Sequence, residues 1–300
     1  MRNKISVMVL GLLVLVFVCG ATGGCGGESF VDSTSYQYPN WTPEGLIYCQ
    51  KAVTHYRKYW GAIGGEYSEN RGTDYYYVTL TTDGTNETTL PYTSYPYFSP
   101  LGTYVALISG ETISIVRRAD NVRVYNFTPT TEGIAELDWS PREDKLVYRP
   151  TGADYLYVIG IDGSNKVEIT RIDAVEIAWR FAEKIVFFNS ISGSSDLSFV
   201  DSLGNTVEAS SLGHASIGSY PNYYSDGNYI FTSGNNKFYK INTSSKNISS
   251  EVSHNLSSLS PKIWINPKLS PDNQKVVGGF SSDSGIWLIN IDGSNLTQLK

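Results

Sequence analysis

From Glu136 to Thr170 the chain sets short apolar runs between polar turns. Leu137-Asp138-Trp139, Lys145 to Tyr148 and Tyr155 to Ile161 are the runs, and Lys166 to Ile169 follows them. Their alternation and length are those of strands. Ser140-Pro141-Arg142-Glu143-Asp144, Thr151-Gly152-Ala153-Asp154 and Asp162-Gly163-Ser164-Asn165 separate them. Proline presets φ, Asp and Ser side chains bond turn amides, and Asp-Gly is a hairpin signal. The segment therefore predicts a four-stranded antiparallel meander with strands of about five residues.

The unit recurs. The place of Trp139 is taken by Trp41, Phe98, Trp179, Tyr224 and Leu269. The Asp-Gly turn returns at Asp83-Gly84 and Asp292-Gly293, and more loosely over Asp201 to Gly204. A period of about 40 to 45 residues with four strands per unit is the signature of a β-propeller. Six copies predict an all-β, six-bladed β-propeller of four-stranded antiparallel blades over residues 38–300. The repeat aromatics are expected to sit between neighbouring blades. Copy one starts on an inner strand and copy six ends on an outer one. The ring is thus expected to close by blade packing, with no strand exchanged between its ends.

Trp139-Ser140-Pro141, Tyr155-Leu156-Tyr157-Val158, Ser270-Pro271-Asp272 and the run from Ile286 to Thr297, IWLINIDGSNLT, resemble the propeller repeat of the TolB family. The resemblance covers roughly residues 38–300 and implies a TolB-type, WD-repeat-like propeller. It implies little about activity, because propellers carry many. Copies four and five depart from the pattern: Arg180-Phe181 replaces Ser-Pro, and Ser225-Asp226-Gly227 lacks the proline. No counterpart is read for the α/β domain that precedes the propeller in TolB, so TolB's own role and partner are not carried over.

Ahead of the repeats, Arg2 and Lys4 precede an apolar run from Ile5 to Val18, the form of an export signal rather than a full membrane span. Thr22-Gly23-Gly24-Cys25 then resembles a lipoprotein processing site. Residues 1–24 are read as a lipoprotein-type signal peptide, Cys25 as the lipidated residue, and 25–37 as a polar tether to the membrane. Ordinary cleavage near Ala21 to Gly24, leaving a secreted protein, is the alternative. Cys49 lies in the apolar run Leu46 to Cys49 and reads as a buried small hydrophobe, so no disulfide framework is expected.

Composition narrows the function. The chain has 300 residues, 41% hydrophobic and 13% aromatic, enough for a large core. Its net charge of −6 argues against nucleic acid, which wants a basic face. There is no G-x-S-x-G elbow, no H-E-x-x-H and no phosphate-cradling glycine loop. The three histidines, His55, His214 and His254, fall in connections without close ligand spacing. The Asp-Gly turns offer too few oxygens for calcium. No catalytic residue, metal or cofactor is assigned.

Copy one is the longest, and its excess lies in Lys51 to Asp74. This insertion concentrates His55, Tyr56, Arg57, Lys58, Tyr59, Trp60 and Tyr67. Insertions into repeats map to loops on one face, and aromatics with arginine carry interface energy. The insertion is therefore read as a loop that binds a protein or peptide, with packing over the blade edge as the alternative. Val207 to Ser219 and Ser249 to Lys262 are read as long connections. Glu136 and Glu176 should face the central channel as solvated lining, although an acid pair there could also bind a cation or serve carbohydrate chemistry. The expectation is an exported, membrane-tethered, non-enzymatic protein-binding scaffold of the cell envelope. A carbohydrate-binding or carbohydrate-active propeller is the alternative.

Overall fold

The computed structural model describes residues 28–60, 65–153, 155–171, 174–179, 184–189, 196–204, 207–210, 221–234, 237–245, 248–253, 264–280 and 283–300. Four consecutive strands make each blade. Blade one holds β1 (Glu28–Trp41), β2 (Ile47–Trp60), β3 (Glu66–Leu80) and β4 (Thr88–Thr89). Blade two holds β5 (Pro96–Phe98), β6 (Tyr104–Ser109), β7 (Thr112–Arg117) and β8 (Val122–Phe127). Blade three holds β9 (Ile134–Trp139), β10 (Lys145–Pro150), β11 (Tyr155–Gly160) and β12 (Val167–Arg171). Blade four holds β13 (Ala174–Ala178), β14 (Lys184–Asn189), β15 (Asp196–Asp201) and β16 (Val207–Ser210). Blade five holds β17 (Asn222–Tyr223), β18 (Tyr229–Gly234), β19 (Lys237–Asn242) and β20 (Ile248–Ser253). Blade six holds β21 (Trp264–Leu269), β22 (Lys275–Phe280), β23 (Asp283–Asn290) and β24 (Thr297–Gln298). Each blade is a sheet of its own strands in sequence order, so the structure is a six-bladed β-propeller, and among the described residues no strand is exchanged between its ends.

The chain divides into two compact units. One is the ring, Tyr36–Gln50 with Tyr76–Lys300. The other contains the remaining parts of β1, β2 and β3.

In the ring, the repeat aromatics are buried between blades. Trp139 is fully buried in a cluster drawn from blades two and three, and its Nε1 donates to the Tyr97 carbonyl at 2.8 Å. Trp41 Nε1 donates to the Lys268 carbonyl of blade six at 2.9 Å. In both cases the acceptor immediately precedes the repeat aromatic or Leu of the neighbouring blade. A buried indole N–H needs such a partner.

Copy five corrects the sequence alignment. The turn amides of Gly102, Glu143 and Asn273 donate to the carbonyls of Ser99, Ser140 and Ser270, while that of Gly227 donates to Tyr224. Tyr224 therefore takes the serine position, and Tyr223 is the residue equivalent to Trp139. Tyr223 pairs with Ile230 as Trp139 pairs with Leu146, and its hydroxyl donates to the Lys184 carbonyl of blade four at 2.7 Å. Tyr224 packs with residues of blade six instead. Two adjacent tyrosines hide a one-residue slip in the sequence, but on a strand that slip reverses the face.

The Ser-Pro and Asp-Gly turns both stitch blades together. Ser140 Oγ accepts the Lys145 amide at 3.0 Å, and Ser270 Oγ accepts the Lys275 amide at 2.9 Å. The left-handed residues of these turns then reach to the previous blade. Glu143 (φ 57°), only 5% exposed, takes the Leu101 amide on Oε1 at 2.7 Å. Asn273 (φ 61°) takes the Ser225 amide on Oδ1 at 3.0 Å. In the Asp-Gly turns, Asp162 and Asp292 each accept the amide and hydroxyl of the serine two residues on. These donors hold both carboxyls below their usual range.

Three readings of connections change. Residues 25–37 were expected to be a tether, but β1 begins at Glu28. The segments expected as connections from Val207 and Ser249 begin as strand: Val207–Ser210 is β16, and β20 runs to Ser253. Polar Ser-rich strands at a blade's outer edge lack the apolar alternation that marks a strand. Cys49 is buried, as its apolar run implies, and is in no disulfide among the described residues.

Candidate binding surface

The second unit is not a loop. It is a ribbon made from Glu28–Ser35 of β1, Lys51–Trp60 of β2 and Glu66–Tyr75 of β3. Contacts between β2 and β3 run in opposite directions, Tyr59 with Tyr67 and His55 with Asp74. Tyr59 and His55 share a face of β2, but Tyr67 and Asp74 lie an odd number of positions apart. One extra residue therefore lies between them, a β-bulge. Gly72 lies in this stretch, with φ 126° and its amide donating to Asn70 Oδ1 at 2.8 Å.

Among the described residues of this unit, only Ala52 is buried. A ribbon without an apolar face has little hydrophobic stabilisation of its own. Beside the backbone pairing of β1, β2 and β3, side-chain pairs link its strands. The Tyr59 and Tyr67 rings stack at 5.7 Å and 18°, and the Arg57 guanidinium stands 6.0 Å from the Tyr59 ring. Lys58 pairs with Glu66, Arg71 with Glu69 at 3.0 Å, and the Thr54 and Thr73 hydroxyls meet at 3.0 Å. His55 lies between two carboxylates, Nδ1 at 2.7 Å from Asp32 Oδ1 and Nε2 at 3.3 Å from Asp74 Oδ2.

Of the seven residues singled out in the sequence, all lie on this ribbon. His55, Arg57 and Tyr59 share one face of β2 by strand alternation, with Tyr67 stacked beside Tyr59. Tyr56, Lys58 and Trp60 occupy the alternate positions. Tyr59 is 39% exposed and Tyr67 48%, and Phe30 and Tyr75 are still more open. Phe30, Asp32 and Asp74 were missed as parts of the surface. Phe30 and Asp32 lie in the stretch read as a tether, and Asp74 was read only as the boundary of the insertion. Cys25, His214 and His254 lie outside the described residues.

Glu136, expected in the channel lining with Glu176, also has a structural role. Both oxygens of Glu136 accept the Glu176 amide, at 3.1 and 2.9 Å, and Oε1 stands 3.5 Å from Arg149. Glu176 is itself the bulged residue of β13, with φ 61°. Glu136 therefore braces blade three against blade four and is already engaged by donors. Asp138 continues the brace, accepting the Trp179 amide at 2.8 Å.

No family model matches the chain, and no curated protein matches it in sequence. Solved structures do. A chain from Agrobacterium tumefaciens named as a TolB is similar at a TM-score of 0.56 and 17% identity, over 72% of this chain and 83% of that one. The fold is a TolB-like, WD-repeat-like β-propeller. The β-propeller domain of Cps50 (Swd1) from Myceliophteria thermophila matches equally well, TM-score 0.56, at 8% identity over 90% of this chain and 87% of that one. Two propellers so different in sequence fit the TolB-like ring equally well, so the likeness is one of fold.

Proposed function

We propose that this chain is an exported, lipid-anchored scaffold of the cell envelope that holds a protein or peptide partner on its ribbon. The observation that carries this reading is the ribbon itself. It is an exposed aromatic and charged surface, with Tyr59, Tyr67, Tyr75 and Phe30 open to solvent and almost nothing buried beneath them. Aromatic side chains that lose little entropy on contact are the usual anchors of protein interfaces. The basic start and apolar run before residue 19, with the small residues ahead of Cys25, support export and a lipid tether in this reading. The catalytic motifs sought in the sequence are missing, and Glu136 is committed to a structural brace, so the reading is non-enzymatic.

The test is affinity capture from native envelope extract with the chain as bait, beside Tyr59→Ala/Tyr67→Ala. A specific protein held by the first bait and reduced at least about tenfold on the second is expected, the size of one interface hot spot. Equal retention by both baits would remove the ribbon from the interface. Retention by neither would overturn the reading.

A further inference from the structure

We propose that His55 makes the ribbon a pH-responsive element, better ordered in acid than in alkali. This deepens the reading of the ribbon as a docking surface, and it rests on that reading only where it concerns a partner.

The geometry carries the inference. One imidazole on β2 faces a carboxylate from β1, Asp32, and another from β3, Asp74, through its two different ring nitrogens. A carboxylate accepts hydrogen bonds and donates none, and a neutral imidazole has one N–H and one lone pair. Only the protonated ring can donate to both strands. Once the proton leaves, one nitrogen turns a lone pair toward a carboxylate, and one of the two links becomes repulsive. The shorter contact, to Asp32, is the one expected to keep its hydrogen. The Asp74 side should then loosen first.

The charged groups set against His55 are Asp32 from β1 and Asp74 from β3, and on β2 itself Arg57 lies two residues along. The bond to Asp32, then that to Asp74, raise the His55 pKa above its ordinary value. The sign follows. The stabilisation is fully present below the ordinary histidine value of about 6.5 and is lost as pH rises through the raised value. All three side chains are substantially exposed, so the effect is modest in size. It matters because this unit has almost no core to mask it. Acid should therefore also favour a partner that binds the ordered ribbon.

Amide hydrogen exchange on the full chain tests this without any partner, so it can fail while the docking surface stands, or the reverse. Protection of residues 28–35 and 66–75, corrected for intrinsic exchange, should fall about two- to fivefold between pH 5.5 and 8.5, the range expected of exposed charge pairs. Ring peptides should not follow. His55→Gln should flatten the profile, and Asp32→Asn/Asp74→Asn should return the His55 titration seen by NMR to the ordinary range. Protection that ignores pH in the wild type, or a profile that His55→Gln leaves unchanged, would overturn the proposal.

Discussion

Replacing Trp139 by alanine is expected to remove about 3–5 kcal/mol of unfolding free energy, read as a lowered urea midpoint at unchanged slope. The magnitude follows from the position. The side chain is fully buried, against Ala106, Ile113 and Ile115 of blade two and Leu137, Leu146 and Ile159 of blade three. Its ring lies nearly parallel to that of Tyr104, with centroids 6.2 Å apart at 11°. Alanine would leave a cavity between two sheets whose backbones are fixed by their own ladders, so collapse is limited. It would also strand the Tyr97 carbonyl. Trp139→Phe separates the two causes: it keeps much of the apolar area and loses the donor, which should cost about 1–3 kcal/mol. A loss below about 1 kcal/mol for the alanine variant would mean that this seam does not hold the blades together.

Gly204→Ala is expected to be nearly as damaging, at about 2–5 kcal/mol from two sources. A left-handed residue (φ 76°) tolerates a Cβ poorly, and here the Cβ would also meet the backbone of the preceding blade. It would fall 2.6 Å from the Ile169 carbonyl oxygen and 3.1 Å from its Cα, atoms that cannot turn aside. The chain contains its own controls. Gly45 has a similar φ of 84° and nothing within 4 Å, so Gly45→Ala should show the backbone cost alone, about 1–2 kcal/mol. At Gly163 the obstacle is the near end of the Phe127 side chain, Cγ at 2.9 Å and Cβ at 3.0 Å, so relief needs a small backbone shift and the cost should lie between those two, nearer to Gly204. Equal losses at Gly45 and Gly204 would show that contact between blades contributes nothing. Thermal or urea unfolding of the three variants side by side decides it.

The Asp-Gly turns show why the fold was readable in the sequence. At Gly84, Gly163 and Gly204 the same residue answers two demands, a positive φ and a close approach to the previous blade's outer strand. A position constrained twice repeats with its spacing intact. Glu143 and Asn273 were not readable as latches. Each replaces the usual turn glycine with a left-handed polar residue, and only the structure shows the amide across the seam that its side chain reaches. The ribbon was misread for a different reason. Val53, His55, Arg57 and Tyr59 alternate with Thr54, Tyr56, Lys58 and Trp60, and neither set is clearly apolar. A strand wet on both faces leaves no period of two to detect. Composition still sets its residues apart as a group, because aromatic and charged content stands out even where periodicity does not. The partners of His55 were hidden by distance: Asp32 lies 23 residues upstream, in a stretch that looked like a tether.

The join between blade six and blade one uses devices found at the seam of blades two and three and in the Asp-Gly turns. An indole donates to a carbonyl next to the neighbour's repeat position, and the glycine of an Asp-Gly turn, Gly84, lies against Leu299. Lys300 adds a contact to Glu87, at 3.8 Å, and stands 5.7 Å from the Tyr36 ring. Because every blade is complete within one stretch of chain, the ring has no structurally privileged starting point. A circularly permuted gene, opened at a connection between two other blades, would present the same six sheets and the same seams. Blade order around the circle, rather than the position of the chain ends, is what this architecture requires.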